Sequence, residues 1–306
     1  MDSAATPDNR LATCLIVGCG YTGARLAQRL TAPGEVVALV RSSTSAAALV
    51  ALGVTARAVD LDQGTLADAI AGLPLAASIV YSVPPSETGT QDGRLQRFLD
   101  AAAELRPEAL VYLSTTGVYG DTGGAQVDET TLPAPREDRS RRRLDAEGRA
   151  AAWCAARGSR CVILRVPGIY GPSRLPLDRL RRGEPVLRPE DSGPGNRLHV
   201  DDLVAACVAA LERPVAGIFN LGDGDHRSLS AFLERVAELA GLPAPRRLAL
   251  AEAQQELSPG ILAFLAESRV VGVEQMQTRL GLLPRYSDLD EGIRQSLQEM
   301  GLPVFQ

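Results

Sequence analysis

The chain has 306 residues, 45% of them hydrophobic, with 32 Lys+Arg against 37 Asp+Glu and a formal charge of -5. It is long enough to bury a sizeable core in one large domain or two smaller ones. The mildly acidic balance argues against a generic polyanion binder, so nucleic acid is not an expected partner. No apolar run approaches a membrane span, and the first ten residues, MDSAATPDNR, are polar rather than signal-like. A cytoplasmic protein without a membrane partner is the expectation. The five cysteines are scattered without ligand spacing, so no metal site is expected. Lysine is absent, which leaves arginine as the only fixed cationic side chain and excludes lysine-dependent chemistry.

The segment 14–25, CLIVGCGYTGAR, runs from an apolar strand through a tight turn into a helix. Gly18, Gly20 and Gly23 form GxGxxG around Tyr21 and Thr22. Gly18 permits the turn, Gly20 lets the backbone approach a pyrophosphate, and Gly23 lets the helix pack closely on its strand. The unpaired N–H groups at the helix start, with the macrodipole behind them, suit an anion. The bland alternative is an ordinary glycine-rich turn.

Residues 35–40 (EVVALV) read as a second strand ending at Arg41 and Ser42. In a dinucleotide fold this strand end meets the adenosine ribose, where an acidic residue binds a 2′-hydroxyl and an arginine a 2′-phosphate. Arg41 therefore favours NADP(H), with NAD(H) the alternative; a solvated arginine is the competing reading. A helix over 45–52 and a third strand over 55–61 follow. Asp60 and Leu61 stand where the adenine edge is held, although Asp60 could equally cap the next helix. A fourth strand over 77–82 ends at Ser82, Val83 and Pro84, and a loop fixed by Pro84 and Pro85 is expected to pass close to the cofactor. A helix over 91–105 and a fifth strand over 109–113 complete the alternation, which implies an α/β doubly wound parallel sheet, a Rossmann architecture, covered on both faces.

The fifth strand leads into LSTTGVYG at 113–120, and RVPGIYGP (165–172), NRLHVDDL (196–203) and FNLG (219–222) follow in order. With these four motifs the chain resembles the extended short-chain dehydrogenase/reductase superfamily of epimerases and dehydratases. The resemblance implies that Thr115, with Thr116 beside it, orients a substrate carbonyl, and that Pro167 and Gly168 lie beside the nicotinamide. It also implies a tyrosine and a lysine spaced YxxxK one helix later, the tyrosine exchanging the substrate proton. Here no tyrosine occurs between Tyr119 and Tyr170. Counting back from Glu147, the two positions fall on Arg139 and Arg143. Arg143 keeps a positive charge for the ribose, but arginine exchanges no proton at ordinary pH. Tyr119, Tyr170 or an ordered water are the candidate replacements. Two readings follow: an atypical NADP(H)-dependent oxidoreductase, epimerase or dehydratase acting on a nucleotide-sugar-like or small carbonyl or hydroxyl substrate, or a catalytically silent NADP-binding sensor or scaffold.

The run REDRSRRR (136–143) opens an Ala-rich helix over 137–156 and is expected to form a solvated, salt-bridged face. Trp153 on that helix fits a domain surface or the interface of a homodimer. After a sixth strand over 161–166, Arg174 and Arg197 stand beside the motifs and are the candidate substrate anion binders. His199, Asp201 and Asp202 read as a buried histidine and a cap for a helix over 203–211. Helices over 229–240, capped by Ser228, and 289–300 follow. Residues 1–171 are expected to form the cofactor domain, and 172–306 a substrate lobe interleaved with the last strands of the sheet.

Overall fold

The structure is a computed structural model that describes residues 14–30, 36–63, 66–73, 77–256, 262 and 268–305. The polar N-terminal decapeptide and Glu35, the expected first residue of the second strand, lie outside the described residues.

Seven strands build the central sheet: β1 (Cys14–Val17), β2 (Val36–Val40), β3 (Thr55–Ala58), β4 (Ser78–Tyr81), β5 (Ala109–Thr115), β6 (Arg160–Val166) and β7 (Gly217–Asn220). They lie in the order β7-β6-β5-β4-β1-β2-β3, and every pairing is parallel. The chain runs outward from β1 through β2 to β3, then returns to β1's other side with β4. That reversal opens a crevice at the carboxyl ends of β1 and β4, the place where such sheets bind ligands.

Apolar runs at the centre of the sheet follow from cover on both faces. Cys14 and Ile16 of β1 point to one side, packing with Leu26 of α1 (Tyr21–Arg29), Leu49 of α2 (Ser43–Ala51) and, further along, Leu203 of a later helix. Leu15 and Val17 point to the other, towards α3 (Leu66–Ile70), α4 (Gly93–Ala101) and α5 (Asp138–Ala155). A period of two thus sorts one strand into two cores. Trp153 belongs to the second of these. It is buried, with Nε1 donating to the Leu99 carbonyl, so the expected surface placement is corrected.

Beyond residue 171 the chain adds α6 (Val200–Glu212), α7 (Leu229–Leu239) and α8 (Leu289–Glu299), with β7 returning to the edge of the main sheet. A separate apolar cluster joins Tyr170, Leu180, Phe232, Val236, Ile293 and Leu297. Strand Gly168–Tyr170 leaves the main sheet and pairs in parallel with Arg197–His199, linking this cluster to the end of β6.

Several expected boundaries move. The third strand stops at Ala58, because the chain turns where Asp60 Oδ1 accepts from Asp62 N–H at 2.9 Å; Asp60 closes an Asx turn rather than capping a helix. The helix expected over 91–105 is shorter, with Asp92 as its N-cap. α6 starts at Val200, and its cap is His199, whose Nδ1 accepts from Asp201 N–H. Asp202 lies inside the helix, where its carboxylate accepts from the N–H groups of Arg285 and Tyr286.

Candidate active site

The turn after β1 presents the helix start to the crevice. Gly18 has φ +88°, and a Cβ there would sit 2.7 Å from Val83 Cγ2 and 2.8 Å from Val83 N, so only glycine lets the two loops touch. Ser82 ties them together by donating its hydroxyl to the Gly18 carbonyl at 2.8 Å. A Cβ on Gly20, by contrast, would meet no atom within 4 Å. The N-terminus of α1 carries no side-chain cap and no acidic residue in its first turn. Open space in front of uncapped amides fits a dinucleotide pyrophosphate.

That space continues into a cavity of about 340 Å³ bounded by Gly18, Gly20, Arg41, Asp60, Leu61 and Val83. Arg41, about 20 residues downstream of the glycines, and Asp60 and Leu61, about 40 downstream, thus line one cavity with them. Ser42 is turned away from ligand duty, since its Oγ accepts from Ser45 N–H and caps α2; Ser45 lines the cavity instead. Asp62 and Arg94 were not singled out in the sequence. They meet in the wall of this cavity through a fork, with Arg94 Nε donating to Asp62 Oδ1 at 2.8 Å, and the arginine holds the Asp62 carboxyl below its usual range. Nothing local marks this pair, because the two residues come from different crossovers. Cys19 sits in the same wall, where burial pushes its thiol up to about 12, so it is an inert packing group.

A second cavity, of about 410 Å³, shares Pro84 with the first. Thr115, Thr116, Arg139, Arg143 and Pro167 line it. Thr115 Oγ1 accepts from Gly117 N–H at 3.1 Å, which fixes the hydroxyl at the strand end and leaves its proton available for a ligand oxygen. Arg143 donates to the carbonyls of Leu113 and Val83 and to Tyr112 Oη, at 2.9, 3.3 and 3.2 Å. Behind the threonines, buried Glu147 accepts from Ser114 and from Arg165, clamping α5 against β5 and β6.

Neither tyrosine offered as a replacement acid reaches this cavity. Tyr119 is buried, its hydroxyl donates to Asn220 Oδ1 at 2.8 Å, and the Arg165 guanidinium covers its ring. Burial also raises its pKa, making it a weaker acid, so Tyr119 is corrected from a catalytic candidate to a structural group. Tyr170 is buried in the lobe cluster, facing the edge of His199.

Arg174 and Arg197 share a further cavity of about 200 Å³ with Tyr170 and Phe232. Arg174 is exposed and stacks over the Tyr21 ring. The Arg197 guanidinium is already committed to Asp225 Oδ1 at 3.0 Å and to the Arg227 carbonyl, so its expected place as a free anion binder is corrected to one that anchors the lobe. The run REDRSRRR is divided: Arg141 pairs with Asp138 on the solvated face, whereas Arg139, Arg142 and Arg143 turn to the cavity at helical spacing. Arg269 joins them from 126 residues beyond Arg143, a placement with no local signal. Among the described residues no cluster of His, Cys, Asp and Glu could hold a metal ion, and no helix is long and apolar enough to cross a membrane.

The model of the NAD dependent epimerase/dehydratase family matches residues 14–222. Protein YeeZ of Escherichia coli (strain K12) is 28% identical over 240 residues, spanning 76% of this chain and 85% of its own length. The solved structure of a functionally unknown conserved protein from Silicibacter pomeroyi DSS is similar with a TM-score of 0.79 at 28% identity, covering 94% of this chain and 99% of its own. That of MoeE5 in complex with UDP-glucose and NAD is similar with a TM-score of 0.71 at 25% identity, covering 94% and 97%.

Proposed function

The chain belongs to the NAD-dependent epimerase/dehydratase family, and from that premise we propose that it is an NADP(H)-dependent oxidoreductase acting on a small carbonyl or hydroxyl substrate. The observation that carries this reading is a pair of neighbouring cavities that share Pro84 in their walls. Arg41 stands at the adenosine end, the uncapped amides of α1 in the middle, and Thr115 with Arg143 at the far end. Such a cofactor, when bound, supplies or takes up hydride. The amides of Tyr21, Thr22 and Gly23 would take its pyrophosphate, Arg41 and Ser45 its 2′-phosphate, and Arg143 a ribose hydroxyl. Pro167 and the Val83–Pro84 loop would exclude water from the two sides of the ring. Thr115 would donate its hydroxyl to the substrate oxygen and so hold the carbonyl in line for hydride. Residues 172–306 would close over the substrate.

The cleft favours reduction over epimerisation. Reversible epimerisation or dehydration needs a base that takes a hydroxyl proton and gives it back. Arginine cannot do so, serine and threonine are poor bases, and the lone carboxylate on this cavity, Glu87, is exposed. Solvent water is then the proton source for a reduction. MoeE5, in whose solved structure UDP-glucose and NAD are bound, keeps a nucleotide sugar as the alternative substrate, and the missing tyrosine supports the silent NADP-binding reading. One experiment separates the three: oxidation of NADPH, followed at the nicotinamide band with a panel of carbonyl compounds and nucleotide sugars. Turnover with a carbonyl compound, lost in Thr115→Ala, supports the reductase. NADPH that binds and is never oxidised, with activity created by Arg139→Tyr, supports the silent protein.

A further inference from the structure

We propose that Arg139 anchors an anionic group of the substrate, a carboxylate or a phosphate, inside the reaction cleft. This rests on the cleft's being the reaction site, and it adds what kind of molecule the cleft takes. The position that the resemblance gives to a proton-exchanging tyrosine holds instead a permanently charged planar fork, suited to bidentate contact with a carboxylate or phosphate.

The charge balance of α5 supports this placement. The helix contains three carboxylates, and all are spent elsewhere. Asp138 pairs with Arg141. Asp145 pairs with Arg149 and accepts from Asp92 N–H. Glu147 accepts from Ser114 and Arg165. The three arginines that turn to the cavity make no ion pair among the described residues: Arg142 donates to the Gly89 carbonyl, Arg143 to carbonyls and a phenol oxygen, and Arg139 to no described group. Arg269, its Nε donating to the Gly120 carbonyl, also lines the cavity, and Glu87 is the single carboxylate there. Most arginines elsewhere in this net acidic chain have carboxylate partners. Arg139, Arg142 and Arg143 thus leave this cavity's wall with excess positive charge, and low-dielectric walls focus it on whatever binds. Arg143 and Arg142 are held by backbone carbonyls, which fixes the field in place. Arg139 is exposed at the rim and unengaged, free to close on a ligand.

The test titrates inorganic phosphate and pyruvate separately, by calorimetry, into the full chain saturated with NADP+, and into Arg139→Ala, Arg139→Lys and Arg182→Ala. Arg182 is an exposed arginine paired with Glu184 outside the cavity and serves as the control. At least one anion should bind the wild type and Arg182→Ala alike. Arg139→Ala should lose affinity by about 10- to 100-fold, the equivalent of a charge-assisted contact, with Arg139→Lys between. Selective binding of one probe distinguishes carboxylate from phosphate. Equal affinity in wild type and Arg139→Ala, or no binding of either anion, overturns the proposal. NADP+ is titrated on its own. If it fails to bind while Arg139-dependent anion binding to the free protein persists, the cofactor reading falls and the anion site stands. An unchanged melting temperature for Arg139→Ala, expected of an exposed side chain without described partners, guards against misfolding as the cause.

Discussion

Arg165 and Glu147 meet as a buried fork, Nε to Oε1 at 3.1 Å and Nη2 to Oε2 at 2.7 Å, with the Ser114 hydroxyl on the same carboxylate. The arginine comes from β6, the acid from α5, and the serine from the residue before Thr115. One carboxylate thereby ties α5 and β5, the elements that carry Arg139, Arg143 and Thr115 to the second cavity, to β6. Removing it leaves a guanidinium in a dry core, which is far costlier than losing an exposed pair. Glu147→Ala should lower the unfolding free energy by about 3 to 5 kcal/mol, read as a shift in urea midpoint. A loss under about 1 kcal/mol, the range of surface pairs, would show that water reaches the site.

In the proposed reading Arg41 is the residue that discriminates between the two cofactors. Arg41→Ala should weaken NADP(H) by about 1 to 3 kcal/mol, the range of a charge-assisted hydrogen bond, and leave NAD(H) nearly unchanged in the same calorimetric titration. Parallel losses for the two cofactors would mean that no 2′-phosphate is read there.

The two glycines of the turn should separate folding from binding. Gly18→Ala forces a side chain onto a backbone at φ +88° and into the Val83 backbone, so its melting temperature should fall. Gly20→Ala meets no atom and should keep a wild-type melting curve while losing cofactor affinity, because its methyl occupies the space in front of the α1 amides. Unaltered NADP(H) binding in Gly20→Ala would place the pyrophosphate elsewhere.

Thr115 carries the orienting hydrogen bond in the proposed reduction. Thr115→Ala should cut kcat by about 100- to 1000-fold, the loss seen on removing one donor to a developing oxyanion, with cofactor affinity kept; Thr115→Ser should restore most of the rate. If serine, which keeps the oxygen that caps the turn at Gly117, fails to rescue, the rate does not depend on this hydroxyl.

Two buried groups in the lobe set opposing pH slopes. Burial raises the Asp223 carboxyl from 3.8 to about 7 and lowers His199 from 6.5 to about 4. Asp223's folded value lies above its unfolded one, so its contribution to stability is complete below about pH 4 and is lost as pH rises towards 7. His199's folded value lies below its unfolded one, so its contribution is complete above about pH 6.5 and is lost as pH falls towards 4. In the wild type the two slopes oppose each other across this window. Asp223→Asn removes the falling limb, and its stability, measured by urea unfolding at each pH, should climb from pH 4 to 6.5. A level profile for the variant would mean that His199 does not stay neutral in the fold.

The sequence by itself determined the alternation of strands and helices, the turn that faces the crevice, and the presence of Arg41 and Thr115 at strand ends. These rest on local geometry: apolar runs that suit a sheet covered on both faces, glycines at fixed spacing, and side chains one or two residues past a strand. The tertiary structure decided which way the later groups point. Tyr119 lies four residues from Thr115, yet its hydroxyl is claimed by Asn220 across 101 positions of sequence. Arg94 meets Asp62 in the wall of the first cavity, Arg197 is absorbed by Asp225, and Arg269 reaches the second cavity from the far part of the chain. A side chain's partner is settled by the nearest unsatisfied group in three dimensions, and chain topology, rather than any local pattern, brings that group within reach.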